Sequence, residues 1–394
     1  MKIKTYSEAI KRVFIIEETR DYSLERVEKA MMLLWNPLKN IKIIHIAGTN
    51  WKWSTSKMVF SVLKNAWKKV WAFTQPHLLD LKERFITDSW EITESEFVEF
   101  LNKILDLDLK FSFFEKTTLI SFLLFEKREV EYAVVEVGFW GGLDSTNIVN
   151  PVIIAITSIW IDHTKVLWNT IEEISFHKAW IIKERIPIVY NHKNDVIKKI
   201  AEEKNAPIIF TKNKVKTNLI WDYQEKNASI AFEICKYLKI SEDLILKWLQ
   251  KVEHFGRLQY ITPNLLIDWA HNKAWLVELK KYLLSLDFNK NICSADCWIS
   301  NNIKLCFAQK KWKNWDKILE VFDKENNFIL VESENKLMVE KAEILKEKIL
   351  ENKNINLIIK TPEEIFELSQ KNKNKLYLIF WSLYMIWDFL KFVK

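Results

Sequence analysis

The chain has 394 residues, 49% of them hydrophobic and 28% charged, with a formal net charge of +7. This length predicts two or three domains with more than one core. The start of the chain lacks the apolar core of a signal peptide, and no apolar run reaches membrane-spanning length. The lysine excess is typical of solvated faces, with attraction of polyanionic substrates as the alternative, and it does not resemble a basic arm for nucleic acid. The cysteines, Cys235, Cys293, Cys297 and Cys306, form no C-x-x-C pair, so we expect free thiols and a cytoplasmic protein.

Apolar strand patterns and helical patterns alternate along almost the whole chain. Strands are predicted at 41–46, 70–74, 132–138, 152–159, 186–190 and 207–211, and, after a break near residues 253–257, at 265–268, 328–331, 355–359 and 376–380. Helical patterns lie between them, for example at 95–105, 118–127 and 339–350. This alternation predicts an α/β fold with a parallel sheet covered on both faces. We expect a first domain over residues 1–254 and a smaller one over 255–394.

The segment after the first strand is similar to a phosphate-binding loop. Residues 47–57 have the sequence AGTNWKWSTSK, in which Lys52, Ser54 and Thr55 open a predicted helix. A strand, a loop and a helix N-terminus in this order place backbone N–H groups against a phosphate. Such a loop normally contains glycine, because a side chain would keep the phosphate away from the backbone. Here Trp51 and Trp53 occupy the glycine positions.

These two tryptophans belong to an unusual composition. The chain contains 19 Trp and 5 Gly, whereas roughly 27 Gly are expected for this length. The excess of Trp is similar in number to the deficit of Gly.

Further motifs follow in chain order, and together they resemble the folylpolyglutamate synthase/dihydrofolate synthase family of the Mur ligase superfamily. They are H-I-A-G-T-N-W-K-W-S-T (45–55), Q-P-H-L-L (75–79), E-V-G-F-W-G-G-L-D-S-T-N (136–147), T-S-I-W-I-D-H-T (157–164), H-K-A-W-I-I-K (177–183), F-G-R-L-Q (255–259), D-W-A-H-N-K (268–273) and W-S-L-Y (381–384). The likeness is specific because it consists of many motifs in one order over nearly the whole chain.

The resemblance implies a P-loop, Mur-ligase-like parallel sheet domain that binds ATP, followed by a smaller Rossmann-like α/β domain that binds glutamate. It implies an ATP-dependent ligase that joins L-glutamate to the carboxylate of a folate or of dihydropteroate through an acyl phosphate. The implied cofactors are ATP and Mg²⁺, with K⁺ as a further candidate ion. The implied partners are these small molecules, without nucleic acid or membrane, and we expect a monomer.

The resemblance also implies site residues, position by position. The ATP candidates are Gly48, Thr49, Asn50, Trp51, Lys52, Trp53, Ser54, Thr55, Asn227, Arg257 and Asp268. The metal candidates are Ser54, Glu136, His163 and Gln75, and Gln75 replaces a serine of the family. The catalytic candidates are Lys52, Lys178 and His271, and Lys178 corresponds to a lysine that the family carbamylates. The acceptor candidates are Phe113, Phe114, Glu115, Leu143, Asp144 and Ser145, beside Gly142, which replaces a family arginine.

The residue types suit these roles. A lysine ammonium can offset charge on the β- and γ-phosphates, and a serine hydroxyl suits Mg²⁺. Glu136 ends a predicted buried strand, where a side chain faces the ligand crevice of an open sheet. Aromatic rings such as Phe113 and Phe114 suit a flat pterin, with a role in the core as the alternative. Each residue taken singly has a structural interpretation, so order and spacing carry the assignment.

Two alternative functions remain at this point. A Mur-type peptidoglycan amino-acid ligase shares the loop and the chemistry, but we expect such an enzyme to carry a further N-terminal domain, whereas this loop begins by residue 48. The chain is an inactive binding protein if Trp51 and Trp53 fill the phosphate site.

The tryptophans themselves suggest a hypothesis about the gene. All of them except Trp298, Trp312 and Trp315 stand where the family usually has Gly or another small residue. UGA encodes Trp in one variant genetic code and Gly in another bacterial code. We therefore expect that UGA codons for Gly have been translated as Trp.

Overall fold

The structure is a computed structural model that describes most of the chain. The described residues are 2–15, 23–77, 80–87, 91–138, 141–160, 170–190, 194–211, 214–219, 222–252, 256, 258–270, 272–286, 302–311, 315–325, 327–334, 339–351, 353–382, 385–386 and 388–389. The chain divides into two compact units, Met1–Glu253 and His254–Lys394.

The first unit is built on a seven-stranded sheet. Its strands are β1 (Lys42–Ala47), β2 (Val70–Phe73), β3 (Phe85–Ile86), β4 (Tyr132–Glu136), β5 (Pro151–Ile156), β6 (Ile188–Tyr190) and β7 (Ile208–Phe210). They lie in the order β3-β2-β4-β1-β5-β6-β7. Every pair is parallel except β2 with β3. The predicted strands of this unit are confirmed with small shifts at their ends, and β3 was missed because two residues are too few to show a period.

Helices cover both faces of this sheet. They are α1 (Tyr6–Phe14), α2 (Glu25–Leu33), α3 (Lys52–Asn65), α4 (Glu94–Leu105), α5 (Phe113–Lys127), α6 (Ile171–Ala179), α7 (Asp195–Glu203), α8 (Asp222–Tyr237) and α9 (Glu242–Leu249). Successive residues of β1 point to opposite faces, so Ile43 packs with the core that contains α4 and α5, and Ile44 packs with the core that contains α3 and α8. Burial on both faces explains why β1 is almost continuously apolar.

A capping box sets the start of α5 five residues earlier than its helical pattern predicts. The Ser112 hydroxyl accepts a hydrogen bond from the Glu115 N–H at 3.2 Å, and the Glu115 carboxylate accepts one from the Ser112 N–H at 2.7 Å. The two bonds satisfy N–H groups that the first helical turn leaves unpaired. As a consequence, Phe113 and Phe114 belong to the first turn of the helix.

Two helices end in a left-handed residue that is a tryptophan. Trp35 has φ of 59° and Trp67 has φ of 57°. The Trp35 N–H donates to Met32 O and the next N–H to Met31 O. Trp67 and the residue after it make the same pair of bonds to the end of α3. This is the Schellman arrangement, in which the left-handed position is usually glycine because a Cβ is strained there.

The second unit contains a six-stranded sheet with the order β12-β11-β10-β13-β9-β8. Its strands are β8 (Gln259–Thr262), β9 (Leu265–Asp268), β10 (Ile303–Phe307), β11 (Asn327–Val331), β12 (Asn356–Lys360) and β13 (Leu376–Phe380). Its helices are α10 (Lys273–Ser285), α11 (Asp316–Val321), α12 (Ala342–Leu350) and α13 (Pro362–Lys371). All strand pairs are parallel except β8 with β9. β8 and β10 were missed, because their alternating polar residues resemble surface segments.

These features confirm the predicted α/β class. Each unit has a largely parallel sheet, and helices of the first unit pack on both sheet faces. None of the helices in the described ranges combines the length and the hydrophobicity needed to cross a membrane.

Candidate functional site

Most of the candidate residues of the first unit lie near the carboxyl ends of four neighbouring strands. In the order β2, β4, β1, β5, the chain leaves each strand at Gln75, Glu136, the loop 48–51 and Ser158. Ile46 of β1 pairs with Glu136 of β4, and Ala47 pairs with Ile156 of β5. The carboxyl edge of an open parallel sheet is where such folds bind ligands.

The loop after β1 is joined to the segment after β5 by several hydrogen bonds. The Thr49 N–H donates to Ser158 O at 2.7 Å, and Thr157 Oγ1 donates to Asn50 O at 2.7 Å. Gly48 has φ of +145°, and a Cβ there would lie 2.0 Å from Thr157 Oγ1. Only glycine fits at this position, since the backbone approaches Thr157 so closely. The loop is therefore held in one shape from a second strand.

Lys52, Ser54 and Thr55 lie in the first turn of α3, as predicted. The Lys52 ammonium donates to Gly48 O at 3.0 Å and to Thr49 O at 3.4 Å, so it lies over the loop. Ser54 and Thr55 are fully buried, and within the described residues Thr55 Oγ1 has no hydrogen-bond partner. The N-terminus of a helix carries partial positive charge and unpaired N–H groups. This turn therefore offers an ammonium, hydroxyls and backbone donors to an anion.

Trp51 is the residue of this loop that departs from a phosphate site. It has φ of 70° and is 8% exposed. Its indole stacks on the Tyr223 ring of α8 with centroids 3.6 Å apart. The donor set of the loop fits a nucleoside triphosphate, whereas the Trp51 side chain adds bulk between α3 and α8. Trp53 is the second residue of α3 and is partly exposed.

The start of α8 places Asn227 beside α3. Asn227 Nδ2 donates to Gln224 Oε1 at 3.0 Å, and Gln224 Nε2 is 3.5 Å from Ser54 Oγ. Both amides are buried. The predicted ATP residue Asn227 is thus linked to the predicted phosphate and metal residue Ser54 through one side chain.

Two of the metal candidates, Gln75 and Glu136, are in contact. The Glu136 carboxylate is buried and accepts a hydrogen bond from the Gln75 N–H at 3.1 Å. The Gln75 side-chain oxygen accepts from Arg84 Nη1 at 3.2 Å. A guanidinium on that oxygen opposes a cation there, which favours the backbone N–H over the side chain as the contribution of Gln75. In the described part of the chain, no three His, Cys, Asp or Glu residues form a metal-binding group, and Ser54 with Glu136 is a sparse set of the kind that suits a hydrated Mg²⁺.

The acceptor candidates Phe114 and Asp144 come together around Gly138. A Cβ at Gly138 would lie 2.8 Å from Phe114 Cζ and 3.0 Å from Asp144 Oδ2. Phe113 instead stacks on Phe14, with centroids 4.7 Å apart, and lies near the Arg84 guanidinium. The two adjacent phenylalanines therefore have different neighbours: Phe114 lies with Asp144 around Gly138, whereas Phe113 stacks on Phe14.

The remaining acceptor candidates divide into structural and accessible residues. Glu115 serves its capping box and an ion pair with Arg26 at 3.2 Å. Ser145 Oγ lies 3.0 Å from Thr118 Oγ1 in the interior. Leu143 is 42% exposed.

Lys178 lies in the last turn of α6 and is 4% exposed. The Gly141 backbone packs against this turn, because a Cβ at Gly141 would lie 2.1 Å from His177 O and 3.3 Å from Lys178 Cα. In the second unit, Asp268 ends β9 and accepts from the Leu258 N–H at 2.9 Å. His163, Arg257 and His271 lie outside the described residues.

Two histidines and an arginine near the site were missed in the sequence. Burial lowers the pKa of His45 to about 3, with a further contribution from Lys183. Burial and the Arg84 charge lower the pKa of His77 to about 4, and Arg84 Nε donates to His77 Nδ1 at 2.8 Å. A histidine inside the apolar strand β1 was a signal that could have been followed, since polar side chains in buried strands need partners.

Comparison with known proteins places the chain in a family. Residues 46–249 match the Mur ligase middle domain. The chain is 30% identical to a dihydrofolate synthase/folylpolyglutamate synthase of Bacillus subtilis over 94% of its own length and 95% of the relative. It is also 30% identical to a dihydrofolate synthetase of Saccharomyces cerevisiae, over 67% of this chain and 72% of that one.

Solved structures agree with the fold. A folylpolyglutamate synthase from Thermotoga maritima superposes with a TM-score of 0.81 at 23% identity and covers 98% of this chain and 96% of its own. E. coli FolC in complex with DHPP and ADP superposes with a TM-score of 0.85 at 21% identity and covers 99% of this chain and 98% of its own. The chain belongs to the dihydrofolate synthase/folylpolyglutamate synthase family and contains a Mur ligase middle domain.

Proposed function

We propose that the protein is an ATP-dependent ligase that adds L-glutamate to the carboxylate of a folate or of dihydropteroate. The observation that carries the proposal is the arrangement at the carboxyl edge of the first sheet. There Lys52, Ser54 and Thr55 open the helix that follows β1, the strand paired with that of Glu136, behind a loop that Gly48 and Thr157 hold in shape. Membership of the family gives this anion site its substrates.

The chemistry follows from the weakness of a carboxylate as an electrophile. The acceptor carboxylate attacks the γ-phosphate of ATP, ADP leaves, and an acyl phosphate forms. The amine of L-glutamate then attacks the acyl carbon, phosphate leaves with the C–O bond electrons, and the amine loses a proton as the amide forms. Lys52 and the N-terminus of α3 offset the charge that develops on the phosphoryl oxygens.

Other residues of the first unit have proposed roles in binding the metal ion and the acceptor. Ser54 and Glu136 would hold Mg²⁺, which would offset charge on the phosphates. The Gln75 N–H fixes the Glu136 carboxylate. Phe114 and Asp144 contact the acceptor. His163 belongs to the metal set, and Arg257, Asp268 and His271 belong to the ATP-binding set by family position.

The Mur-type peptidoglycan alternative has weaker support. The B. subtilis relative matches over nearly its full length and is named a dihydrofolate synthase/folylpolyglutamate synthase. We further propose that the protein is a cytoplasmic monomer, and the buried free thiols of Cys235 and Cys306 suit a reducing compartment. Light scattering on the purified protein measures the oligomeric state, and a stable dimer would contradict the monomer.

The proposal includes glycine at the tryptophan positions of the natural protein. Among the described residues, four tryptophans have left-handed φ, namely Trp35, Trp51, Trp67 and Trp381. Large side chains rarely adopt that conformation, and glycine adopts it without strain. The mass of the protein purified from its own source distinguishes the two residues directly. A mass that corresponds to 19 Trp would rule out the codon hypothesis.

The activity is tested on the Gly-restored protein, which carries Gly at all 19 tryptophan positions. We expect ATP hydrolysis that depends on L-glutamate and on dihydropteroate or tetrahydrofolate, with the glutamylated product seen by mass spectrometry. Lys52→Ala should lower turnover by more than about tenfold, about 1.4 kcal/mol of barrier, because it removes the phosphate ammonium. Lys64→Ala, an exposed lysine on the same helix, is the matched control and should leave turnover unchanged.

The protein with tryptophan at all 19 positions is compared with the Gly-restored protein in the same test. We expect it to bind no ATP, because the Trp51 indole crowds the loop, and to be poorly folded. Full turnover by Lys52→Ala would exclude Lys52 as the phosphate lysine, and a soluble all-Trp protein with ligase activity would contradict the glycine proposal.

A further inference from the structure

A buried chain of polar groups lies beneath the acceptor residues. His45 is fully buried in β1, and its Nε2 lies 3.0 Å from Thr146 Oγ1. Thr146 Oγ1 donates to Asp144 Oδ1 at 2.6 Å, and the Thr146 N–H donates to the same oxygen at 3.1 Å. These hydrogen bonds connect β1, the strand before the phosphate loop, to the acceptor candidate Asp144.

The direction of these hydrogen bonds follows from the number of protons. An ionised carboxylate only accepts, and a hydroxyl has a single hydrogen. Thr146 uses that hydrogen for Asp144, so it must accept from His45. His45 is therefore the neutral tautomer with the proton on Nε2. Burial, which lowers its pKa to about 3, keeps the ring neutral at physiological pH.

The histidine makes few polar contacts for a buried imidazole. Within the described residues, its Nδ1 has no hydrogen-bond partner. A buried polar atom without a partner costs stability, and an aliphatic side chain would avoid that cost. The hydrogen bond to Thr146 is therefore the interaction that a histidine provides at position 45 and an aliphatic residue would not.

The two bonds to Oδ1 fix the plane of the Asp144 carboxylate. Its other oxygen, Oδ2, then lies beside Gly138 and Phe114. The next residue, Ser145, is held from α5 by the contact with Thr118 at 3.0 Å. The segment is thus anchored from β1 on one side and from α5 on the other.

We propose that His45 and Thr146 are positioning residues that hold the Asp144 carboxylate in the orientation that receives the acceptor substrate. The inference rests on the proposed function, in which Asp144 contacts the acceptor. A carboxylate that is already oriented loses no conformational freedom when the acceptor binds, so the bonds act on acceptor affinity. They have no such effect on the affinity for ATP.

Pairs of variants in the Gly-restored protein test the hydrogen bonds. His45→Leu removes the bond from His45 to Thr146, and Thr146→Val removes that bond together with the bond from Thr146 Oγ1 to Asp144. His45→Gln keeps a donor near the Nε2 position, and Thr146→Ser keeps the hydroxyl. We expect the KM for dihydropteroate to rise about tenfold or more in Thr146→Val, which loses a bond to a charged group, and about fivefold or more in His45→Leu, which loses a bond between neutral groups. The second pair should return it to within about threefold of the parent, with the KM for ATP unchanged in all four.

Measurements without turnover separate this inference from the proposed function. Dihydropteroate binding by calorimetry should follow the same order in folded variants. ¹⁵N NMR should show His45 as the Nε2–H tautomer. In Thr146→Val, the Nε2 proton of His45 should exchange faster with water. Binding in the parent without ligase product would contradict the proposed function alone. Equal KM values for folded His45→Leu and His45→Gln, or an Nδ1–H tautomer in the parent, would overturn the positioning role.

Discussion

At the scale of single residues, the two lysines of the first unit that we propose as catalytic have different surroundings. Lys52 lies over the carbonyl groups of its own loop and can move toward a phosphate. Lys178 is 4% exposed in the last turn of α6, where the Gly141 backbone packs against it. Burial favours the neutral amine that carbamylation requires. The two lysines should therefore respond differently to added small anions.

We expect Lys178→Ala in the Gly-restored protein to lose ligase activity and to regain part of it in acetate. The reason is that a carbamylated lysine supplies a negative group at a fixed place, which a small carboxylate can replace. Lys52→Ala is the matched control, because acetate cannot replace a cation. Turnover in increasing acetate is the measurement. Full activity of Lys178→Ala without acetate would contradict the carbamylated role.

At the scale of secondary-structure elements, helix ends show where glycine is favoured. The left-handed position after the helix is Glu129 at the end of α5, Asn205 at the end of α7 and Lys239 after α8. The fold therefore tolerates a Cβ at such positions, at a cost. Trp35 and Trp67 differ from these three residues because they place a large apolar side chain in solvent: their indoles are 89% and 95% exposed. They combine backbone strain with an apolar side chain that has almost no packing.

We expect a protein restored to Gly at every position except Trp35 to be less stable than the fully restored one by about 1 kcal/mol, because left-handed φ is strained with a Cβ. Trp67 should behave in the same way. Chemical denaturation followed by circular dichroism gives the free energy of unfolding. Trp35→Ala in the same background is the control, and it should be as destabilised as Trp35, since the strain depends on the Cβ. Equal stability of the Gly and Ala versions would show that the turn accepts any residue.

At the scale of the whole molecule, one buried and one partly buried histidine with lowered pKa values link stability to pH. The pKa values of His45 and His77 are about 3 and about 4 in the folded protein, against about 6.5 for an unperturbed histidine. The unfolded chain therefore binds more protons below pH 6.5. Stability from these groups is present above that pH and is lost as pH falls toward the folded pKa values.

We expect the free energy of unfolding to fall by about 3 kcal/mol between pH 6.5 and 5 because of these two histidines. Carboxylates contribute mainly below this range. Denaturation at several pH values is the measurement, and His45→Gln should remove about half of the change. A slope that His45→Gln leaves unaltered would show that His45 is protonated in the folded state.

Much of this protein could be predicted from its sequence. The alternation of strands and helices established the α/β class, because a buried strand and an amphipathic helix leave local patterns. The order strand, loop, Lys52, Ser54 predicted an anion site at a helix N-terminus. β3 was missed because two residues carry no periodic signal, and β8 and β10 were missed because their alternating polar residues resemble surface segments.

The tertiary structure decided which distant residues meet. The strand order β2-β4-β1-β5 brings Glu136 and Ser158 to the two sides of the loop after β1, and local patterns do not encode strand order. Phe113 and Phe114 are alike in the sequence, yet Phe114 lies with Asp144 around Gly138 and Phe113 stacks on Phe14, because α5 begins at its capping box and turns the two rings to different neighbours. The bond from His45 to Thr146 joins residues 101 positions apart. The sequence by itself determined the kind of fold and the kind of site, whereas packing over long separations decided which side chains build it.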